Sequence, residues 1–404
     1  MIKKVPVASL RPGMYVHDLG VGWMDHPFAR NHFALKSDDQ VAELRAIGLQ
    51  TVYIDTAKGL DVPDAPTQDE VRAELSRQLV EAATEKPRPV VAVSLADEID
   101  NARRLHHLAE LVVRDIMNDA RLGKAIQAEN VAELVDDITE SVVRNSGALL
   151  SMLRLKNKDD YTFLHCVSVG TLMVTFGRAL GIEGGALRQG GIGGFVHDVG
   201  KSLIPDVVLN KPGRLTEEEF AQIRLHPGMG HDILRTASNV GPVPMDITRH
   251  HHERMDGSGY PDRLPGAEIT QFARMAAIVD VYDAVTSDRV YHKGMHPTEA
   301  LRRMLEWSAG GHFDQALLKQ FIRCVGIYPT GTMVRLESGR LAVVTEQNAH
   351  DLLKPRVRVF FSTKSNCHVA PEEVDLSRAA NDRIVADEPP EKWGVDPNRF
   401  LAAA

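Results

Sequence analysis

The sequence predicts a mostly α-helical protein. An all-helical core is flanked by a small N-terminal α/β or β-rich domain and a small C-terminal β segment. Three observations carry this. From residue 97 onward, stretches such as "ADEIDNARRLHHLAELVVRDIMNDARLG" and "VAELVDDITESVVRNSGALLSMLRL" place apolar residues at three- and four-residue spacing, the signature of a helix with one buried face. Residues 1–56 offer short strand-like pieces punctuated by Pro and Gly. After "YPTGT" the pattern turns strand-like again in "MVRLESGRLAVVTEQ" and "PRVRVFFST".

Taken in order, "KKVPVASL" and "GMYVHDLG" read as strands, and "SDDQVAELRAIG" reads as a helix capped by Ser37 and stopped at Gly48. "TVYID" follows as a strand. Residues 57–95 are polar, charged and Pro-containing, and read as a linker around a marginal helix. Residues 96–158 form a helical connector, in which His106 and His107 read as an ordinary surface pair. Residues 159–328 read as a separate domain, a series of helices split by Gly/Pro loops. Residues 329–404 form the β segment, with the last 30 or so expected as an extended tail.

A chain of 404 residues exceeds one ordinary core, so two or three domains are expected. The net charge of −8 argues against a general polynucleotide binder, which needs broad basic surface. It leaves room for a small phosphorylated ligand held by a few local cations. The three cysteines, Cys166, Cys324 and Cys367, are scattered and odd in number, which fits a reducing compartment and neither a disulfide framework nor a CxxC zinc site. The N-terminus shows no signal-peptide pattern, and no run of about 18 uncharged apolar residues is found, so a cytoplasmic protein is expected.

The chemistry concentrates in residues 165–280. Seven of the 17 histidines fall between His165 and His252. His165 lies on an apolar helix and His197 and Asp198 near a helix end. His226 opens "HPGMG", His250, His251 and His252 stand in a row, and Asp280 lies in the apolar "MAAIVDVYDAV". A single buried histidine or aspartate is more often a satisfied core group than a ligand. As a set they need a common partner, because burying a neutral polar group unpaired costs roughly 2–7 kcal/mol. A divalent metal pairs several at once. The adjacent His197 and Asp198 suggest two ions with a bridging carboxylate, and His and carboxylate ligands without Cys suit Fe, Mn or Zn. Two such ions favour phosphate-ester hydrolysis, polarising phosphoryl oxygens and generating a hydroxide.

The ordered motifs "HDVGK", "LNKPGRLTEEEF", "HHERMDGSGYP", "ARMAAIVDVYDAVTSDR" and "GGHFDQALLKQF" resemble the HD-GYP family, a branch of the HD phosphohydrolases that hydrolyses cyclic di-GMP. The resemblance covers about residues 150–325. The N-terminal "VPVASLRPGMYVHDLGVGWMDHPF" is similar to a domain of unknown function often found ahead of HD-GYP domains. The resemblance implies two divalent ions, Fe or Mn, held by His165, His197, Asp198, His226, His251, His252 and Asp280, with Asp198 bridging. It implies that Lys201 holds a phosphoryl oxygen or developing charge, and that Arg289 grips substrate phosphate. Gly257, Gly259, Tyr260 and Pro261 form the signature loop. Tyr260 either meets a guanine or packs within its own loop; both readings stand at this point.

Two positions depart from the family. A Glu that supports a third metal in some members is here Tyr161, with Asp160 beside it, so two metals are expected. A Lys usual three residues after the phosphate arginine is here His292, with Lys293 next and able to substitute. Glu253 and Asp256 either orient ligand imidazoles or cap the loop, and His250 is expected to face away from the metals. The resemblance implies hydrolysis of cyclic di-GMP to pGpG, and to GMP after a second cut. It also implies that the loop can contact diguanylate cyclase or adaptor proteins. The rival readings are a cyclic-dinucleotide-binding adaptor and a hydrolase for another cyclic dinucleotide. The oligomeric state is open.

Overall fold

A computed structural model describes residues 1–21, 32–84, 93–153, 161–211, 213, 215–288, 294–348, 351–379 and 382–401. The chain forms two compact units, Met1–Gln78 with Arg214–Glu219, and Leu79–Gly213 with Phe220–Ala404.

The first unit is a four-stranded antiparallel sheet in the order β1 (Ile2–Pro6), β4 (Thr51–Asp55), β2 (Tyr15–Asp18), β3 (Phe33–Ala34), with α1 (Asp38–Ala46) between β3 and β4 in sequence. Ser37 caps α1 by accepting from the Gln40 N–H, and Gly48 leaves the helix at φ +83°. Val5, Val16, Leu44, Val52 and Ile54 are wholly buried in its core. Lys3 is buried too, and its ammonium donates to Asp61 and to the carbonyls of Val62 and Pro63. The expected linker holds a helix of 17 residues, α2 (Gln68–Thr84), which the acids of its first turn favour.

The second unit is helical up to residue 325. α3 (Leu95–Arg121) and α4 (Ala128–Met152) pack their apolar faces together, and Leu105, Val131, Val135 and Ile138 are fully buried there. The same core takes in Val167 and Val174 of α5 (Tyr161–Ala179) and Ile192 of α6 (Gly184–Val196). After α6 come α7 (Asp206–Leu209), α8 (Glu217–Ile223), α9 (His226–Thr236), α10 (Pro242–His250), α11 (Gln271–Thr286), α12 (Pro297–Ala309) and α13 (Gln315–Val325). No described helix is long and apolar enough to cross a membrane.

The C-terminal part is a five-stranded antiparallel sheet in the order β8 (Cys367–Asp375), β7 (Arg356–Ser362), β6 (Arg340–Glu346), β5 (Met333–Leu336), β9 (Ile384–Asp387). The last residues are not an extended tail. β9 pairs with β5, and α14 (Pro390–Trp393) leads to Phe400, which stacks on Phe360 at 4.4 Å. Trp393 packs on Phe361. Sparse aromatics in a polar stretch close one face of the sheet, a pattern that has no period to read. β8 has the same difficulty. It carries Pro371 and a run of acids, which suits an edge strand paired on one side only.

An ion pair joins α3 to α4. Glu98 is 3% exposed and accepts from Arg144, Ser141 and Asn101. Burial by itself would raise its pKa. The Arg144 guanidinium and the two neutral donors outweigh that and hold it at about 2, against an ordinary 4.5. A depressed carboxylate contributes stability above pH 4.5 and loses it as pH falls toward 2. Glu98→Gln is therefore expected to cost about 2 kcal/mol at neutral pH, less than a fully buried pair because Arg144 reaches solvent. Denaturant unfolding at several pH values checks this: the gap to the wild type should close between pH 4.5 and 2.

Candidate metal centre

Five elements deliver the cluster. α5 carries His165, α6 ends on His197, α9 begins on His226, α10 runs out into His251 and His252, and α11 carries Asp280. α5 and α6 approach closely at Gly194, where a Cβ would lie 2.9 Å from the Gly170 Cα. Past the end of α6, Gly200 lets the chain lie against the start of α9. A Cβ there would fall 2.0 Å from the His226 carbonyl oxygen. The glycine of "HDVGK" thus brings Asp198 and His226 together.

Asp198 is the centre of the arrangement. Its Oδ2 lies 3.4 Å from His197 Nε2 and 3.6 Å from His165 Nε2, and Lys201 donates to the same oxygen. Its Oδ1 lies 3.1 Å from His226 Nε2 and 3.7 Å from His251 Nε2. Asp280 faces His165 Nε2 at 2.9 Å and His252 Nδ1 at 3.8 Å. With metal–ligand bonds of about 2.1 Å, neighbouring ligands of one ion sit roughly 3.0–3.5 Å apart, so these spacings suit coordination spheres. Three overlapping triads have ligand atoms within 4.8 Å of one another: His165, His197 and Asp280; His197, Asp198 and His251; His226, His251 and His252. The structure brings together all seven residues expected as ligands.

The outward nitrogens fix which atoms face inward. His197 Nδ1 meets the Gly194 carbonyl at 2.8 Å and His226 Nδ1 that of Ile223 at 2.7 Å, while His251 Nδ1 meets those of Ile247 and Thr248. A carbonyl can only accept, so each of these Nδ1 atoms carries the proton and Nε2 is left to the centre. His165 Nδ1 instead meets Asp283 Oδ2 at 2.8 Å. Sequence reasoning passed over Asp283. Its signal was the three-residue spacing from Asp280, which sets two acids on one helix face.

The centre is buried and its charges conflict. His197 Nε2 and Asp198 Oδ1 are buried without a hydrogen bond of acceptable geometry among the described residues. Burial pulls the His197 pKa down, but Asp198 and Asp280 overcome it and push it up to about 10. Burial, His197 and His226 drive His251 down to about 3. Asp198 and Asp280 lie well below the carboxylate range, held there against burial by Lys201 and the neighbouring imidazoles. Divalent cations supply the positive charge that lets every imidazole stay neutral. The residues present therefore fit a metal centre.

The centre opens on one side. His252 keeps 13% of its side-chain surface and Lys201 20%, while the other ligands are almost wholly covered. Tyr260 stacks on His252 with centroids 4.7 Å apart, and Arg224 lies 4.5 Å over the Tyr260 ring. Of the two readings of Tyr260, packing is thus satisfied by protein neighbours. Gly259 lies against the backbone of His252, Glu253 and Arg254, Gly257 turns at φ +75°, and the Tyr260–Pro261 bond is cis. Glu253 caps the loop, accepting from the amides of Asp262, Arg263 and Leu264. Asp256 accepts from the Ser258 amide. His250 faces away, between Asp246 at 2.7 Å and Asp262 at 3.0 Å. The helix stops at His250, so the geometry of the turn, not a helical wheel, separates the three rings. Arg289, His292, Lys293, Asp160 and the side chain of Tyr161 lie outside the described residues.

Residues 2–131 match a domain of unknown function (DUF3391), and residues 133–317 match an HD domain. A cyclic di-GMP phosphodiesterase of Pseudomonas aeruginosa is 45% identical over 396 residues, covering 97% of this chain and 94% of that protein. A 3′3′-cGAMP-specific phosphodiesterase of Vibrio cholerae is 42% identical over 125 residues, covering 31% of this chain and 24% of its own. A solved structure of an HDG"Y"P protein from Bdellovibrio bacteriovorus is 16% identical with a TM-score of 0.46, over 80% of this chain and 98% of that one.

Two predictions follow from the geometry. His251→Ala and His252→Ala are expected to lose bound metal, while His250→Ala keeps it; elemental analysis of the purified variants checks this. Asp283→Asn is expected to weaken metal affinity roughly 10- to 100-fold while the fold is kept. Competition with a chelator, alongside circular dichroism, measures it.

Proposed function

The chain belongs to the HD-GYP family of HD-domain phosphodiesterases, with DUF3391 ahead of the HD domain, and from that premise we propose how its centre works. The protein is a metal-dependent phosphodiesterase that hydrolyses cyclic di-GMP, giving pGpG as first product and GMP on further cleavage. The observation that carries the reading is Asp198, whose two oxygens face two different imidazole sets.

His165, His197 and Asp280 would hold one divalent ion and His226, His251 and His252 a second, with Asp198 shared between them and Fe or Mn as the metal. Such ions, when bound, polarise phosphoryl oxygens and lower the pKa of water. The protein's own groups do the rest. The carbonyls of Gly194, Ile223 and Ile247 hold three imidazoles in one tautomer, and Asp283 holds a fourth. The surrounding apolar helices exclude bulk water, which strengthens every charge interaction inside. Lys201 stands at the open side with its ammonium on Asp198, within reach of a phosphoryl oxygen as negative charge builds up. Arg289 and Lys293 are the phosphate grips expected from the family resemblance.

A second reading, a preference for another cyclic dinucleotide, is favoured by the likeness to a 3′3′-cGAMP-specific enzyme. Protein loaded anaerobically with Fe or Mn should convert cyclic di-GMP to pGpG, and Asp198→Ala should lose both metal and turnover. Chromatography of the products tests this. No product from metal-replete protein beside an active control enzyme sinks the assignment, and faster turnover of 3′3′-cGAMP selects the second reading.

A further inference from the structure

Arg224 stands two residues before His226, in the turn between α8 and α9. Its neighbours are fixed on both sides. Its amide donates to the Phe220 carbonyl, and the Ile223 carbonyl receives His226 Nδ1. The guanidinium lies 4.5 Å over the Tyr260 ring, with the Phe220 ring at 5.8 Å. The same tyrosine stacks on His252, the ligand on the open side of the centre. Half-buried Arg224 has no carboxylate within ion-pair distance among the described residues. Other arginines of this unit are paired with carboxylates: Arg249 and Arg302 each donate twice, to Asp262 and Asp387, and Arg274 donates once, to Asp314. A ring face offsets part of the cost of desolvating a guanidinium, but it uses none of its five N–H donors. A planar fork with free donors matches a phosphate, which takes it bidentately.

We propose that Arg224 is a substrate-binding residue that grips the second, unreacting phosphodiester of the bound cyclic dinucleotide. The inference rests on the reading of this site as a cyclic-dinucleotide phosphodiesterase. The substrate carries two phosphodiesters in one ring. The scissile one belongs at the histidine and aspartate cluster. Among the described residues no side-chain hydrogen bond or ion pair joins Arg224 to that cluster; its link to it runs through Tyr260. Its fork therefore meets the substrate away from the reacting phosphorus. Tyr260 ties the two together: one ring is a support for the ligand imidazole and a platform for the phosphate grip. This gives the tyrosine of the loop a task other than stacking on a base.

The test compares ligands that share two guanines and differ in phosphate count. Arg224→Met keeps an apolar stem for the tyrosine and removes the charge; Arg224→Lys keeps a charge without the fork. With metal-loaded enzyme, Arg224→Met should raise the KM for cyclic di-GMP about 10- to 100-fold, the loss of one charge-assisted interaction, with kcat and metal content nearly unchanged. Arg224→Lys should fall between. The inhibition constant of GpG, which has both guanines and a single phosphodiester, should not move. An unchanged KM overturns the proposal, and so does an equal loss of GpG affinity, which would mean base contact or packing. Loss of metal by Arg224→Met, with loss of thermal stability, assigns Arg224 a structural role and also overturns it. Wild-type turnover in the same assay separates this from failure of the phosphodiesterase reading, since that failure would abolish activity in the unsubstituted protein.

Discussion

Everything in the centre depends on one buried carboxylate being shared. Asp198 presents one oxygen to His165 and His197 and the other to His226 and His251. A carboxylate with no access to water is costly unless opposite charge surrounds it, and imidazoles meet that need only if protonated. Burial and the repulsion of His197 and His226 drive His251 down, while Asp198 and Asp280 push His197 up against its own burial. Cations placed between the ligand atoms resolve both conflicts. The helices around the site hold six further ligand side chains in register around one aspartate.

The backbone does much of that work. The "HD" pair sits where α6 ends, so Asp198 leaves the helical path and can reach a different set of partners from His197. The Gly194 and Ile223 carbonyls, in the last turns of α6 and α8, receive the outward nitrogens of His197 and His226, while the Ile247 carbonyl takes His251 Nδ1 beside the His251 amide. A single group thus satisfies an orphan acceptor and selects a tautomer. Gly200 completes the design by removing the side chain that would force α9, and His226 with it, away from Asp198.

The signature loop serves the open side by being rigid. Glu253 gathers three backbone amides of the loop onto one carboxylate, and Arg249 and His250 share Asp262 from the end of α10. This fixes Tyr260 where its ring supports His252 and carries Arg224. Positioning of this kind favours turnover because the polar groups are set before substrate arrives.

The sequence by itself determined the mostly helical class, the capped α1, strands β1, β2 and β4 of the N-terminal sheet and the seven candidate ligands. Each of these has a local or periodic signature: Ser37 before an apolar repeat, alternation in "TVYID", histidines and aspartates stranded in apolar helices. Only the tertiary structure decided the rest. Asp283 is one more acid on a helix until His165 comes within 2.8 Å of it. Glu253 is a capping group only once three amides fold over it, and His250, expected to face away, has its partners Asp246 and Asp262 chosen only by the fold. β8, β9 and the aromatic cover of the C-terminal sheet have no usable period, since edge pairing and isolated ring contacts are chosen by partners far along the chain. Residue types and short spacings record what a segment can do. Which nitrogen meets which oxygen depends on the close approach of helices that the sequence does not place side by side.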